Sequence, residues 1–161
     1  MKIEIIQPYQ NTGWLNLDFV LVTTLDSLKK EKGRQYLDQW LYWEPYFSQI
    51  NVPVWILSED SPTELYQLQE TLITKLHFSH ASKDTLEKLQ SIQSKSVFGK
   101  DYLIVKPQIL LFYQEKAIYK ASRTNQKTIG EAYLKALDIR YKIFKTNFRN
   151  KLTSKKEFAS I

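Results

Sequence analysis

The order of segments in this chain predicts an α/β fold, a largely parallel sheet with helices on both faces and an antiparallel edge. Three observations carry that expectation. Strand-like and helix-like stretches alternate along the first half of the chain, as βαβ units require. Two strand-like runs, Asp18 to Thr23 and Val52 to Leu57, are apolar and β-branched almost throughout, the pattern of strands buried on both faces. Late in the chain, Tyr102 to Tyr113, broken by Pro107, and Ala117 to Ala121 flank the polar turn Gln114-Glu115-Lys116 and predict a hairpin.

Taken in order, Lys2 to Gln7 reads as a short edge strand and Pro8 to Gly13 as a turn region. After the strand at Asp18 to Thr23, helical spacing of Leu37, Trp40, Leu41, Trp43, Phe47 and Ile50 predicts a helix over 33–50, kinked or restarted at Pro45. The strand at Val52 to Leu57 is followed by Ser61-Pro62-Thr63-Glu64, a capping box with proline in the first turn. Leu65, Leu68, Leu72, Ile73 and Leu76 form the apolar stripe of the helix it opens. His77 to His80 reads as a short strand, and Ser82 as the cap of a helix reaching about Gln93. A second capping box, Thr128 to Glu131, opens a long C-terminal helix with Leu134, Leu137, Tyr141, Phe144 and Phe148 facing the core.

Length and apolar content, 161 residues and 43% hydrophobic, suit one domain, expected over 1–150, with a basic flexible tail over 151–161. Residues 135 to 161 hold eight basic and two acidic side chains and carry the entire net charge of +6; the first 134 are neutral. The N-terminus lacks the apolar core of a secretory signal and no run is long enough to span a bilayer, so a cytoplasmic chain without integral membrane association is expected. There is no cysteine, which excludes disulfides, thiolate nucleophiles and Cys-ligated metal sites. No glycine-rich phosphate loop or cofactor pattern is present.

Two phrases carry a resemblance. EPYFSQINVPVWILSEDSPTELYQLQETL resembles the second strand and following helix of the peroxiredoxin-like, AhpC/TSA branch of the thioredoxin superfamily. VFGKDYLIVKPQILLFYQEKAIYKA is similar to the later segment of that family, in which a proline precedes a strand and its hairpin partner. The likeness covers roughly Asp18 to Ala121. It implies a thioredoxin-like three-layer sandwich, a central mixed sheet with a C-terminal hairpin edge and helices on both faces. It also implies a cis peptide at Pro107. The family's peroxidatic cysteine would fall within Leu25 to Arg34, LDSLKKEKGR, which has no cysteine and no Pro-x-x-x-Thr-x-x-Cys motif, and the arginine before the proline is replaced by Lys106. Asp26, Ser27, Arg34, Lys106 and Pro107 therefore mark a degenerate active-site region, and the leading expectation is a non-catalytic role in binding another protein through this cysteine-free face or through the aromatic helix.

Other chemistry has less to stand on. His77 and His80, three apart on a strand, face opposite sides and lack further ligands nearby. Ser58, Glu59, Asp60 and Asp26 could gather at the strand ends and support a cysteine-independent enzyme acting on a small ligand, or serve as turn and capping residues. Trp40 to Phe47 places aromatics on more than one helix face, leaving Tyr42 and Tyr46 for a partner or for packing. Arg140, Lys142, Lys145 and Arg149, interleaved with aromatics, offer a nucleic-acid or anionic-membrane surface, or a solvated helix face. The partners these readings imply are a protein first, then a nucleic acid, with a homodimer as a further option.

Overall fold

A computed structural model describes residues 18–159, without the side chains of 92–95, 97, 101–103 and 153–159. The strand and turn expected before Asp18 lie outside the described residues. The elements are β1 (Phe19–Thr24), α1 (Glu31–Gln49), β2 (Val54–Ser58), α2 (Pro62–Thr71), β3 (His77–His80) and α3 (Lys83–Lys88). They are followed by β4 (Ile92–Val97), β5 (Lys100–Val105), β6 (Ile109–Tyr113), β7 (Lys116–Ala121) and α4 (Gln126–Ala159). A five-stranded sheet has the order β3-β2-β1-β6-β7, and β4 and β5 form a separate two-stranded sheet.

Strand β1 is central because FVLVTT buries every side chain, and it runs parallel to β2 and antiparallel to β6. Its alternate residues serve two cores. Phe19 and Leu21 pack with Ile56, Phe78, Ile109 and Leu111 beneath α1, α2 and α4, while Val20 and Val22 join Trp55, Leu57, Leu110 and α3's Leu86 on the opposite face. Helix α1 supplies Leu37, Trp40 and Phe47 and continues through Pro45 as one element. Helix α2 starts as its capping box predicts, with the Ser61 hydroxyl accepting from the Glu64 N–H.

Several expectations are corrected. Helix α3 ends at Lys88 rather than near Gln93, because Gln90 takes a left-handed φ of 56° and Ile92 begins β4. The stretch from Tyr102 does not form one hairpin arm: β5 pairs with β4, and only β6 pairs with β7. Ile73, assigned to the buried stripe of α2, lies beyond the helix end and is fully exposed. Helix α4 starts three residues before the expected box, where the Asn125 carboxamide oxygen accepts from the Thr128 N–H. It continues to Ala159, so the boundary expected at residue 150 falls inside a helix.

The face of α4 is also different. Ile129, Ala132 and Ala136 are the residues packed on the core, the two alanines letting the helix approach closely. Leu134, Leu137, Tyr141, Phe144 and Phe148, expected to face inward, are exposed, from 37% at Leu137 to 67% at Phe144.

Candidate functional site

The degenerate active-site loop follows β1 and is built from hydrogen bonds. Asp60, at the end of β2, is its anchor: one carboxylate oxygen accepts from the Ser27 hydroxyl (2.6 Å) and the other from the Leu28 N–H (2.8 Å). Asp60 is itself held where the Ser58 hydroxyl accepts from its N–H (3.1 Å), and its carbonyl lies 2.9 Å from His80 Nδ1. Asp26 accepts from the Ser27 N–H (2.7 Å) and pairs with Lys30 (3.3 Å). Lys29 pairs with Glu64 across to α2, and that hydrogen bond raises the lysine above its ordinary value of 10.5. Gly33 lets α1 close over the loop, because a Cβ there would sit 2.2 Å from the Ser27 carbonyl oxygen.

Pro107 faces this loop across a cleft, but its peptide bond is trans: no cis bond occurs among the described residues. The chain reverses instead by a three-residue turn in which the Gln108 N–H donates to Lys106 O (2.8 Å). A buried polar network fixes this turn. The Thr24 hydroxyl donates to Lys106 O (2.8 Å), the Thr23 hydroxyl to Gln108 O (2.9 Å), and the Ser91 hydroxyl to Gln108 Oε1 (2.6 Å). From α4's side, the Thr124 hydroxyl donates to Pro107 O (2.7 Å). None of the five polar residues Thr23, Thr24, Ser91, Gln108 and Thr124 was singled out from the sequence; the pair Thr23-Thr24, ending an otherwise apolar strand, was the available signal.

The cleft itself has a volume near 510 Å³ and brings together Asp26, Lys106 and Pro107 with Lys32, Tyr36, Ile104 and Arg123, which sequence reading missed. Arg34 is exposed on α1 and does not line it, and Ser27 is turned toward Asp60. Asp26 lines this cleft, whereas the Asp60 carboxylate is taken up by the Ser27 hydroxyl and the Leu28 N–H. Ser58, Asp60 and Asp26 act as turn and capping groups.

The remaining candidates fall at two places. His77 stacks on Trp55 (4.4 Å between centroids), and burial lowers its imidazole below the ordinary 6.5. No group of three metal-ligating His, Asp or Glu side chains occurs among the described residues. Tyr42 and Tyr46 are exposed, but Trp43 and Tyr46 pack against Tyr133 of α4 at 5.8 and 6.0 Å, so the second aromatic face of α1 is largely claimed by α4. Arg140 is also committed within the domain. It donates to the carbonyls of Ile50 (2.9 Å) and Asn51 (3.0 Å), lies over the Phe19 ring, and pairs with Asp18.

Lys142 and Lys145 remain on the exposed surface of α4, Lys142 pairing with Asp138 (3.0 Å). Beside them runs the apolar stripe Leu134, Leu137, Tyr141, Phe144, Phe148 and Leu152, in steps of three and four residues. These six side chains follow one face of the helix and are all exposed. No described helix is long and apolar enough to cross a membrane.

No protein-family model matches the chain, and no curated protein matches its sequence. Solved structures do match. Peroxidoxin BcpB from Mycobacterium tuberculosis is 12% identical with a TM-score of 0.63, over 79% of this chain and 84% of that one. Peroxiredoxin Q from Xanthomonas campestris is 12% identical with a TM-score of 0.62, over 76% and 78%. A cysteine-to-serine mutant of Xylella fastidiosa PrxQ is 13% identical with a TM-score of 0.60, over 89% and 99%. The chain thus has the α/β thioredoxin-like fold of the peroxiredoxins, in a sequence without cysteine and hence without their thiol chemistry.

Proposed function

We propose that this chain is a non-redox thioredoxin-fold protein that binds another protein through the exposed face of α4. The observation that carries the reading is the stripe from Leu134 to Leu152, six large apolar side chains that are exposed among the described residues. Helix-in-groove recognition uses anchors at this spacing. Lys142 and Lys145 beside the stripe select the partner's character: an apolar groove or helix rimmed by acidic side chains. A second copy of the chain would bring like charges together along the same helix, which disfavours the homodimer. The reading does not use the degenerate active-site loop, whose polar groups bond largely to one another.

The test is capture from native cell extract with the full chain, beside Phe144→Ser/Phe148→Ser and Lys142→Gln/Lys145→Gln variants. The captured protein is then purified and its affinity measured at two salt concentrations. The expected result is one protein bound directly, weakened at least tenfold by the aromatic variant and more modestly, in a salt-dependent way, by the lysine variant. A captured set identical for all three chains overturns the reading. Exposed cations interleaved with Tyr141, Phe144 and Phe148 also favour a second reading, nucleic-acid binding by α4. Retention of nucleic acid instead of protein, lost when Lys142, Lys145 and Arg149 are neutralised, would establish that alternative.

A further inference from the structure

The cleft between α1 and the Pro107 turn combines two kinds of lining. Lys32 comes from the first turn of α1, Lys106 from the β5–β6 connection and Arg123 from the β7–α4 connection, so three separate elements each contribute one cation. None of the three has an ion-pair partner among the described residues, although Lys29, Lys30, Arg140 and Lys142 each have one. The one acid lining the cleft, Asp26, is already held by Lys30 and the Ser27 N–H. Interleaved with these cations the lining carries apolar surface from the Tyr36 ring, Ile104 and Pro107, beside the polar Ser122, Thr124 and Asn125. The volume near 510 Å³ lies within the range of small-ligand sites and exceeds what a bare inorganic anion fills.

From this juxtaposition we propose that the cleft binds a small organic phosphomonoester, its dianionic phosphate between Arg123, Lys106 and Lys32 and its apolar body against Tyr36 and Pro107. A guanidinium offers paired donors to phosphate oxygens, and two ammonium groups add charge without demanding a fixed geometry. A monocarboxylate would neutralise only one of the three cations. The turn carrying Lys106 is immobilised by Thr24, Gln108 and Thr124, so the backbone from which one cation extends is fixed before a ligand arrives. Partner binding by α4 is a separate matter, and neither reading depends on the other.

Isothermal titration of the full chain with phenyl phosphate tests the proposal, with phenol, inorganic phosphate and benzoate as the body alone, the charge alone and the singly charged analogue. Phenyl phosphate is expected to bind at least tenfold more tightly than each of the other three. Arg123→Gln, an exposed position, and Lys106→Gln/Arg123→Gln should weaken it at least tenfold while leaving the circular dichroism spectrum unchanged. Lys142→Gln/Lys145→Gln should leave it within twofold. Absence of binding at millimolar phenyl phosphate overturns the site, as does an affinity insensitive to Arg123→Gln or one lost with the α4 lysines. Inorganic phosphate binding as tightly as phenyl phosphate overturns the role given to the apolar lining.

Discussion

Replacing Gly33 by alanine sets two physical effects against each other, and the structure decides between them. Within a helix, glycine to alanine ordinarily stabilises by about 1 kcal/mol. At Gly33 the new Cβ would lie 2.2 Å from the Ser27 carbonyl oxygen and 2.9 Å from its carbon, roughly 1 Å or more inside van der Waals contact. Both atoms are backbone, in a loop tied to Asp60 through the Ser27 hydroxyl and the Leu28 N–H. Overpacking of this kind costs about 1–3 kcal/mol, and loosening a charge-assisted hydrogen bond about 1.5–3 kcal/mol. After the propensity gain, a net loss of about 3 kcal/mol is expected. With a urea m-value of about 2 kcal/mol/M, the unfolding midpoint should fall by about 1.5 M. Gly130→Ala is the matched control, because its Cβ meets only the Trp43 ring at 3.6 Å, and it should raise the midpoint. Circular dichroism at 222 nm reads both. A Gly33→Ala chain as stable as the parent would refute the close approach of α1 to the loop.

The other predictions use the same urea titration unless stated. Asp60→Ala removes the acceptor of the Ser27 hydroxyl and the Leu28 N–H and should cost about 2 kcal/mol, with faster hydrogen exchange at the Leu28 amide. Because burial lowers His77 in the folded chain, the unfolded chain takes up its proton first. Stability contributed by this group should therefore fall as pH drops below about 6.5 and level off once the folded form is protonated too; His77→Gln should flatten that slope. Gln114 and Glu115 turn the β6–β7 hairpin at φ values of 48° and 69°, so Glu115→Gly should stabilise by about 0.5 kcal/mol or more. Phe144→Ser/Phe148→Ser should change stability by no more than about 0.5 kcal/mol, whereas Ile129→Ala, in the core, should cost about 2–4 kcal/mol.

The parts of the fold legible in the sequence are those where local pattern and tertiary burial agree. Strands β1 and β2 announce themselves because both their faces are covered, and α2 because Ser61 and Pro62 satisfy its first turn through local chemistry alone. The β4–β5 hairpin was not legible. Its turn uses Phe98 and Gly99 at positive φ, and Ile92 fits a continuing helix as well as a strand until Gln90 breaks the helix. Helix α4 carries two apolar rows, and periodicity cannot rank them. The alanines at 132 and 136 take the core because small side chains allow close packing, which leaves the larger row outside. For the candidate site, Asp26, Lys106 and Pro107 were identifiable through the resemblance. Lys32, Tyr36 and Arg123 join them only when the α1 and β7–α4 segments are brought together by the sheet, a relation no local spacing encodes.

The length of α4 has a hydrodynamic consequence. At 1.5 Å per residue its 34 residues extend about 51 Å, against a radius of gyration of about 15 Å for a compact chain of this size. Arg140 ties the helix to the carbonyls of Ile50 and Asn51, and the 19 residues that follow it to Ala159 extend the helix by about 28 Å more. One copy will tumble and elute like a larger sphere. A size-exclusion column calibrated on globular standards will overstate its mass and suggest a pair where there is one, and a shape-independent measurement such as light scattering is needed to count the chains.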